Sequence, residues 1–394
     1  MYKNIVSTIC GCLLSIGIWA QTDEINQVLG EIEQNNKQLQ AYSFLLESRQ
    51  LDLKSGNNLP DPQVGLYYLP WGDNNAGDYK EFQITQSFEF PTVYGARSGL
   101  IEKQQEQMLL EYATKRQQVL LPAKKYCQEL VYLNKRMAVE QMRAQQAQKI
   151  FEQVQELFDK EQVGVLDVNK AKVAWMQEQF KVQQIENDKQ NLLLLLQNLN
   201  GGIEISFNQA DFVDRLDLAA LDSIWHHKQL TDPAIKILKQ QEDVAFQQLK
   251  FSKSKSLPNL TAGFNYQGVS GSNFSGIYGG ASIPLWSNRN KVKAAKAHYQ
   301  YQLTFTYGQL LVAFADFHKQ YNDYQILLSK FNEYQTTLSE LNSDTLLLEA
   351  YQLGEISFME YYLELRFYRQ AYDSMLEMEK QLNQLKAEIL KHQL

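Results

Sequence analysis

The sequence predicts a mainly α-helical chain with a small β part, its elements laid down twice in the same order. Three observations carry that reading. The stretch "LPNLTAGFNYQGVSGSNFSGIYGGASIPLW" at 257–286 is glycine-rich and alternates apolar with polar residues, as strands do. It lies between long Gln-, Glu-, Lys- and Leu-rich stretches with helical periodicity. A counterpart of every part of this arrangement precedes it in the chain.

The echoes are specific. "NNLPDPQVGLYYLP" at 57–70 is answered by "KSLPNLTAGFNYQG" at 255–268, Pro60 matching Pro258. "FQITQSFEFPTVYGARSGLIEKQQ" at 82–105 is answered by "GIYGGASIPLWSNRNKVKAAKAHYQ" at 276–300. "EQVGVLDVNKAKV" at 161–173 is answered by "YQLGEISFMEYYLEL" at 351–365, with Gly164 set against Gly354. Each half therefore reads helix, hairpin, very long helix, glycine turn, long helix. The expected divisions are a signal peptide at 1–20, a first repeat at 21–200, a linker or equatorial segment at 201–230 and a second repeat at 231–394.

The leader reading rests on "MYKNIVSTICGCLLSIGIWA", one lysine followed by apolar and small residues and a small residue at the expected cut. "ICGC" resembles a lipoprotein cleavage site, but only about five apolar residues precede Cys12, short of the usual 7–15. Removing the leader leaves Cys127 alone, so an exported chain has no disulfide framework and depends on packing. With 394 residues, 44% of them hydrophobic, it can build a sizeable core. A formal charge of −7 offers no basic footprint for nucleic acid.

Strands are expected over about 62–70, 80–90, 258–268 and 276–286. In the first hairpin Val64, Leu66 and Tyr68 share a face, as do Phe82, Ile84, Phe88 and Phe90, with Gln86 the exception. In the second, Leu260, Ala262, Phe264 and Tyr266 alternate with Thr261, Gly263, Asn265 and Gln267, and Ile277, Gly279, Ala281, Ile283 and Leu285 form the last row. The polar stretches "PWGDNNAGDY" and "VSGSNFSG" read as the loops between. Strands of about ten residues span a bilayer when tilted. An isolated hairpin is marginal in water, and in lipid only a closed barrel satisfies every backbone group. Four strands cannot close one, so a membrane barrel needs several chains, and three chains would supply twelve strands.

The helices carry a 3-4 register. From Leu109 through Val119, Ala123, Leu130, Leu133, Met137 and Val154 to Phe158 it is interrupted at Arg116 and Glu140. From Leu310 through Phe317, Tyr324 and Phe331 to Leu338 it is interrupted at Gln335. Such seams predict coiled-coil packing. The first helix, about 94–160, would run on the order of 100 Å. Pro122 lies inside an unbroken register, which predicts a kink rather than an end. "NLLLLLQNLNG" at 191–201 reads as a buried helix end with glycine caps.

On these residues the chain resembles the outer-membrane efflux protein family, the TolC-like channels of Gram-negative bacteria. The resemblance is carried by "LPDPQVGL" and "LPNLTAGF", by "FEFPTVYGARSG" and "IPLWSNRNKVKAAKA", and by the two glycine turns, from about residue 22 to the C-terminus. It implies a homotrimer whose long coiled-coil helices form a periplasmic α-barrel and whose twelve strands form a β-barrel in outer-membrane lipid. It further implies docking with a periplasmic adaptor (a membrane fusion protein) and an inner-membrane pump. Carried over by position, Val163, Gly164, Val165, Leu353, Gly354 and Glu355 form the adaptor-docking tip. Tyr351, Glu360 and Asp167 form the entrance gate. Two departures stand out: Ile356 replaces a common arginine, and Asp167 follows Gly164 by three residues where Glu360 follows Gly354 by six.

No enzyme site is expected and no cofactor. The histidines are His226, His227, His298, His318 and His392; adjacent His226 and His227 diverge by about 100° on a helix and make poor joint metal ligands. There is no phosphate loop and no nucleophile elbow. Two functions fit: a passive export channel for small molecules, drugs or metal ions, or a periplasmic coiled-coil scaffold that never enters the membrane.

Overall fold

The structure is a computed structural model and describes residues 23–71, 77–269, 271–341 and 343–394. The leader and most of the first hairpin loop, both singled out in the sequence, lie outside these residues.

The first half runs α1 (Glu24–Asn35), α2 (Lys37–Ser55), β1 (Gln63–Leu69), β2 (Tyr79–Phe88), α3 (Pro91–Asp159) and α4 (Val165–Leu199). The second runs α5 (Leu221–Thr231), α6 (Pro233–Ser254), β3 (Asn259–Val269), β4 (Ser272–Ser282), α7 (Lys291–Glu340), α8 (Ser343–Gln352) and α9 (Phe358–Ile389), ending in a 3-10 turn at Lys391–Gln393. At 69 residues α3 is on the order of 100 Å long. It continues through Pro122, whose neighbours Val119, Leu120, Ala123 and Cys127 are buried. Tertiary contacts there outweigh the one hydrogen bond that proline removes.

The segment ahead of the first hairpin was expected as one helix but is two, and the linker expected over 201–230 contributes α5 ahead of α6. Asn36 ends α1, and its side-chain oxygen caps α2 by accepting from Leu39 N at 3.0 Å. Its amide donates to the Leu199 carbonyl at 2.8 Å, tying this break to the end of α4. Gly201 makes that approach possible: its φ is +68°, and a Cβ there would stand 2.5 Å from the Asn35 carbonyl oxygen. Asp232 caps α6 in the same manner, accepting from Ala234 N at 3.0 Å, with Pro233 opening the helix.

The two hairpins join into one antiparallel sheet of order β1-β2-β3-β4. Pairing of β2 with β3 runs from Tyr79 opposite Val269 to Phe88 opposite Leu260. That register aligns the apolar rows: Val64, Ile84, Phe264 and Ile277 stand side by side across all four strands. The opposite face holds Gln83 beside Asn265, and Ser87 beside Thr261. Expected boundaries fail at the last strand, placed at 276–286 but found at Ser272–Ser282. Gly271, at φ +86°, makes the second turn so tight that Ser272 already pairs with Val269. At the far end Pro284 offers no N–H to a ladder, so Ile283 and Leu285 lie beyond the strand.

Along the helices the core is a series of clusters. One gathers α1, Leu39, the Val119–Val131 part of α3, Leu196, Ile205 and Phe207. A second uses Phe317, Tyr324 and Phe331, seven residues apart on α7, against Leu382 and Ile389 of α9. The sequence seam holds at these positions but overshoots at its ends, since Leu109 and Phe158 are exposed. Segment 191–201 is less buried than its composition suggests: Leu196 is buried, whereas Leu194 and Leu195 face outward. Cys127 is enclosed, and burial pushes its thiol up to about 12, so it stays protonated.

The interruption at Glu140 is a buried ionic junction. Glu140 is fully buried and accepts from Arg143 Nη1 at 2.8 Å; the same nitrogen reaches Asp373 on α9 at 2.8 Å. Glu178 of α4 joins through Lys181 at 3.1 Å and Arg369 of α9 at 3.7 Å. Burial raises the Glu140 carboxyl above its usual range. Three helices from both halves thus meet on charges that have left water. Removing one partner of a buried pair costs about 3–5 kcal/mol, whereas replacing both with apolar groups is close to neutral. Arg143→Leu is therefore expected to destabilise the protein by about 3 kcal/mol in thermal unfolding, and Glu140→Leu added to it to restore most of the loss. A double variant no better than the single would refute this account.

His226 and His227 are exposed, and His227 has a partner the sequence did not indicate. His392, buried in the C-terminal turn, places Nε2 at 3.1 Å from His227 Nδ1. Burial, with Lys228 and His227 nearby, lowers His392 from its ordinary 6.5 to about 4. The unfolded chain therefore binds this proton first as pH falls, and stability drops between roughly pH 6.5 and 4, by about 3 kcal/mol at most. His392→Asn should flatten that part of the stability–pH curve; an unchanged slope would remove His392 as its source.

Candidate functional site: the helical tip

The end of the molecule farthest from the sheet is formed by two turns, α3 to α4 and α8 to α9. They meet around one apolar cluster of Ile150, Val154, Val168, Ala171, Tyr361 and Leu365, with Val163 and Ile356 packed against it. A groove of about 670 Å³ lies between the turns, lined among others by Leu157, Val163, Asp167, Leu353 and Ile356.

The turns share a hydrogen-bond pattern, and it corrects the sequence pairing of Gly164 with Gly354. In the first, Lys160 N donates to Glu156 O, Glu161 N to Phe158 O and Gln162 N to Leu157 O. In the second, Leu353 N donates to Glu349 O, Gly354 N to Tyr351 O and Glu355 N to Ala350 O. Each bond recurs 193 positions later, not at the 190 that separates the two glycines. Glu161, at φ +58°, therefore occupies the place of Gly354 at φ +76°; both are the left-handed residue that closes a helix. Gly164 matches Ser357 instead, and both stand at the N-cap of the following helix. Asp167 then matches Glu360, each the third residue of its helix. The three-versus-six mismatch disappears, because it was counted from residues that are not equivalent.

Each proposed site residue has a definite place. Glu360 forms a capping box with Ser357: its backbone N–H donates to Ser357 Oγ at 3.3 Å, and its carboxylate accepts from Ser357 N at 2.8 Å. These bonds from Ser357 hold the carboxyl below its usual range. Asp167 N donates to the Gly164 carbonyl at 3.0 Å, and the Asp167 side chain lines the groove. Tyr351 stacks on Tyr361 with ring centroids 5.2 Å apart, and burial raises its hydroxyl pKa. Val163 and Ile356 are half-buried in the tip core, whereas Val165, Leu353, Gly354 and Glu355 are exposed, Leu353 at 76%. Apart from the position of Glu161, which nothing in its residue type signals, the charge pattern is informative. Residues 331–365 contain seven Asp or Glu and no Lys or Arg.

A non-glycine residue in the left-handed region carries a strain of about 1 kcal/mol. Glu161→Gly is expected to strengthen the first turn and Gly354→Ala to weaken the second by about that amount each. Amide hydrogen exchange at the tip reads both. Equal, same-direction effects would contradict the equivalence.

No protein-family model and no curated protein matches the sequence. Solved structures do match the fold. CusC, whose structures concern conformational changes accompanying folding and transmembrane channel formation, aligns at TM-score 0.74 with 15% identity, over 92% of this chain and 90% of that one. The outer membrane protein VceC of Vibrio cholerae aligns at 0.75 with 13% identity, over 94% and 95%. The CmeC outer membrane channel of Campylobacter jejuni aligns at 0.72 with 15% identity, over 94% and 85%. The chain thus shares, nearly end to end, the fold of outer-membrane channel proteins.

Proposed function

We propose that the chain is one subunit of a homotrimeric outer-membrane channel. It docks with a periplasmic adaptor and an inner-membrane pump, and it exports small molecules, drugs or metal ions without catalysing any step. The observation that carries this reading is the outer face of the sheet. Val64, Ile84, Phe264 and the 93% exposed Ile277 form an apolar row four strands wide, with the 76% exposed Leu66 next to it on the same face. Water would penalise such a face and invite aggregation; lipid would not. Trp71 at the loop end of β1 and Trp286 beyond β4 are exposed at opposite ends of the sheet, where aromatic belts form. β1 and β4 have one free edge each, and joining them copy to copy closes the backbone bonding that lipid demands. A periplasmic scaffold would leave the same row in water.

At the other end, Val163, Gly164, Val165, Leu353, Gly354 and Glu355 form the adaptor contact in this reading, with Glu161 added. The acidic run 331–365 favours an adaptor whose tip carries basic residues. Asp167 and Glu360, now in equivalent places, are the entrance carboxylates, and Tyr351 packs the closed tip. A ring of like carboxylates favours cations.

The test is the mass of the detergent-extracted protein together with its conductance in planar bilayers. A mass three times that of the mature chain, with ion conductance, is expected. A soluble monomer or dimer without conductance would replace the channel with the scaffold. Within the channel reading, Glu355→Lys should weaken binding of the cognate adaptor by roughly tenfold, measured with purified components; unchanged affinity would move the docking surface elsewhere.

A further inference from the structure

The second half of the chain is electrically polarised along its length. Opposite the acidic run, residues 244–315 contain no Asp or Glu and seven Lys or Arg. All seven fall at the end of the helices nearest the sheet. Lys250 and Lys253 lie in the last turns of α6, Arg289 just before α7, and Lys291, Lys293 and Lys296 in its first two turns. Each lies within about 8 Å of the helix end that faces the strands, at 1.5 Å per residue. Asn288 donates from Nδ2 to the Lys255 carbonyl at 2.7 Å, which brings the two segments side by side. Lys255 alone is compensated, by Glu89. The other six are exposed, and none has an ion pair among the described residues.

Three features show that this patch is not a generic solvated face. The matching region of the first half balances its charges internally, with Arg97 paired to Glu89 and Lys103 to Glu106 at 2.8 Å. The cations of α7 also sit at the positive end of that helix dipole, without an acidic residue in the first turn and without a side-chain cap. Isolated helices avoid that placement, and a nearby anion relieves it. The patch also continues directly from exposed apolar groups, Ile283, Leu285 and Trp286. An apolar and aromatic rim followed by a cluster of cations matches the profile of a lipid leaflet from acyl chain to headgroup.

We propose that Lys250, Lys253, Arg289, Lys291, Lys293 and Lys296 form a basic collar that binds the anionic phospholipid headgroups of the membrane leaflet from which the helices emerge. This rests on the reading of the sheet as a membrane barrel. In a trimer the collar recurs once per chain, separated by the charge-balanced first halves. It fixes the depth of the sheet and resists tilting, because each cation near an anionic surface adds about fivefold to binding.

The test uses the full chain reconstituted in phosphatidylcholine vesicles containing brominated phosphatidylglycerol or brominated phosphatidylcholine, with tryptophan quenching as the readout. Phosphatidylglycerol is expected to associate at least about tenfold more strongly, the preference falling toward unity in about 1 M salt, where charges are screened within roughly 3 Å. Arg289→Gln/Lys291→Gln/Lys293→Gln should abolish the preference while leaving quenching by phosphatidylcholine and the circular dichroism unchanged. Equal quenching by both lipids, or a preference the triple variant keeps, would overturn the collar and leave the barrel standing. Full competition by soluble glycerol phosphate would also overturn it, assigning the site to a free anion. A chain quenched by neither lipid would remove the barrel reading and the collar with it.

Discussion

The ladder between β2 and β3 is the joint on which the rest of the molecule depends. It pairs residues about 180 positions apart, Tyr79 with Val269 at one end and Phe88 with Leu260 at the other. A loop of that size is entropically costly to close, and the closure must be repaid by contacts that exist only once it has formed. The strand ends show how. Glu89, just past β2, takes Arg97 from its own half and Lys255 from the other. From this fixed base α3 and α7 run in the same direction, and their tips can meet only because the base is in register.

The helices have a different problem. They are too long and too polar to share one core, and they use a chain of small clusters linked by polar junctions. Glu140, Arg143, Glu178, Arg369 and Asp373 form one such junction, and Tyr324, buried with its hydroxyl bonded to the Leu216 carbonyl, forms another. Buried ion pairs are poor sources of stability but specific in geometry. Here they join α3 to α9, α3 to α4 and α4 to α9 at single positions along the bundle.

Charge arrangement follows the same axis. The second half is basic beside the sheet and acidic at the tip, separated by the stretch of α7 from Lys296 to Glu333, on the order of 55 Å. At that distance screening makes the ends independent, so each can suit its own neighbour.

What the sequence determined by itself is what local pattern encodes. Period-two alternation placed the first three strands and the apolar face of all four, and the 3-4 register placed α3, α7 and the buried aromatics of α7. These signals survive because each is read within a few residues. Tertiary structure decided the remainder. Glycine type alone pointed to Gly164, but the backbone bonds shared by the two turns put Glu161 in the place of Gly354 and made Asp167 the counterpart of Glu360. The last strand began earlier than its composition suggested, because pairing with β3 rather than residue preference set its start. Glu140 looked like a flaw in a seam until Lys181 of α4 came to it, and Asp373 of α9 to its partner Arg143. The turn and the strand start are fixed by short-range backbone bonds that residue type does not reveal. At the Glu140 junction the deciding partners lie far away in sequence, and no local pattern can carry the energy of a contact that only the folded chain makes.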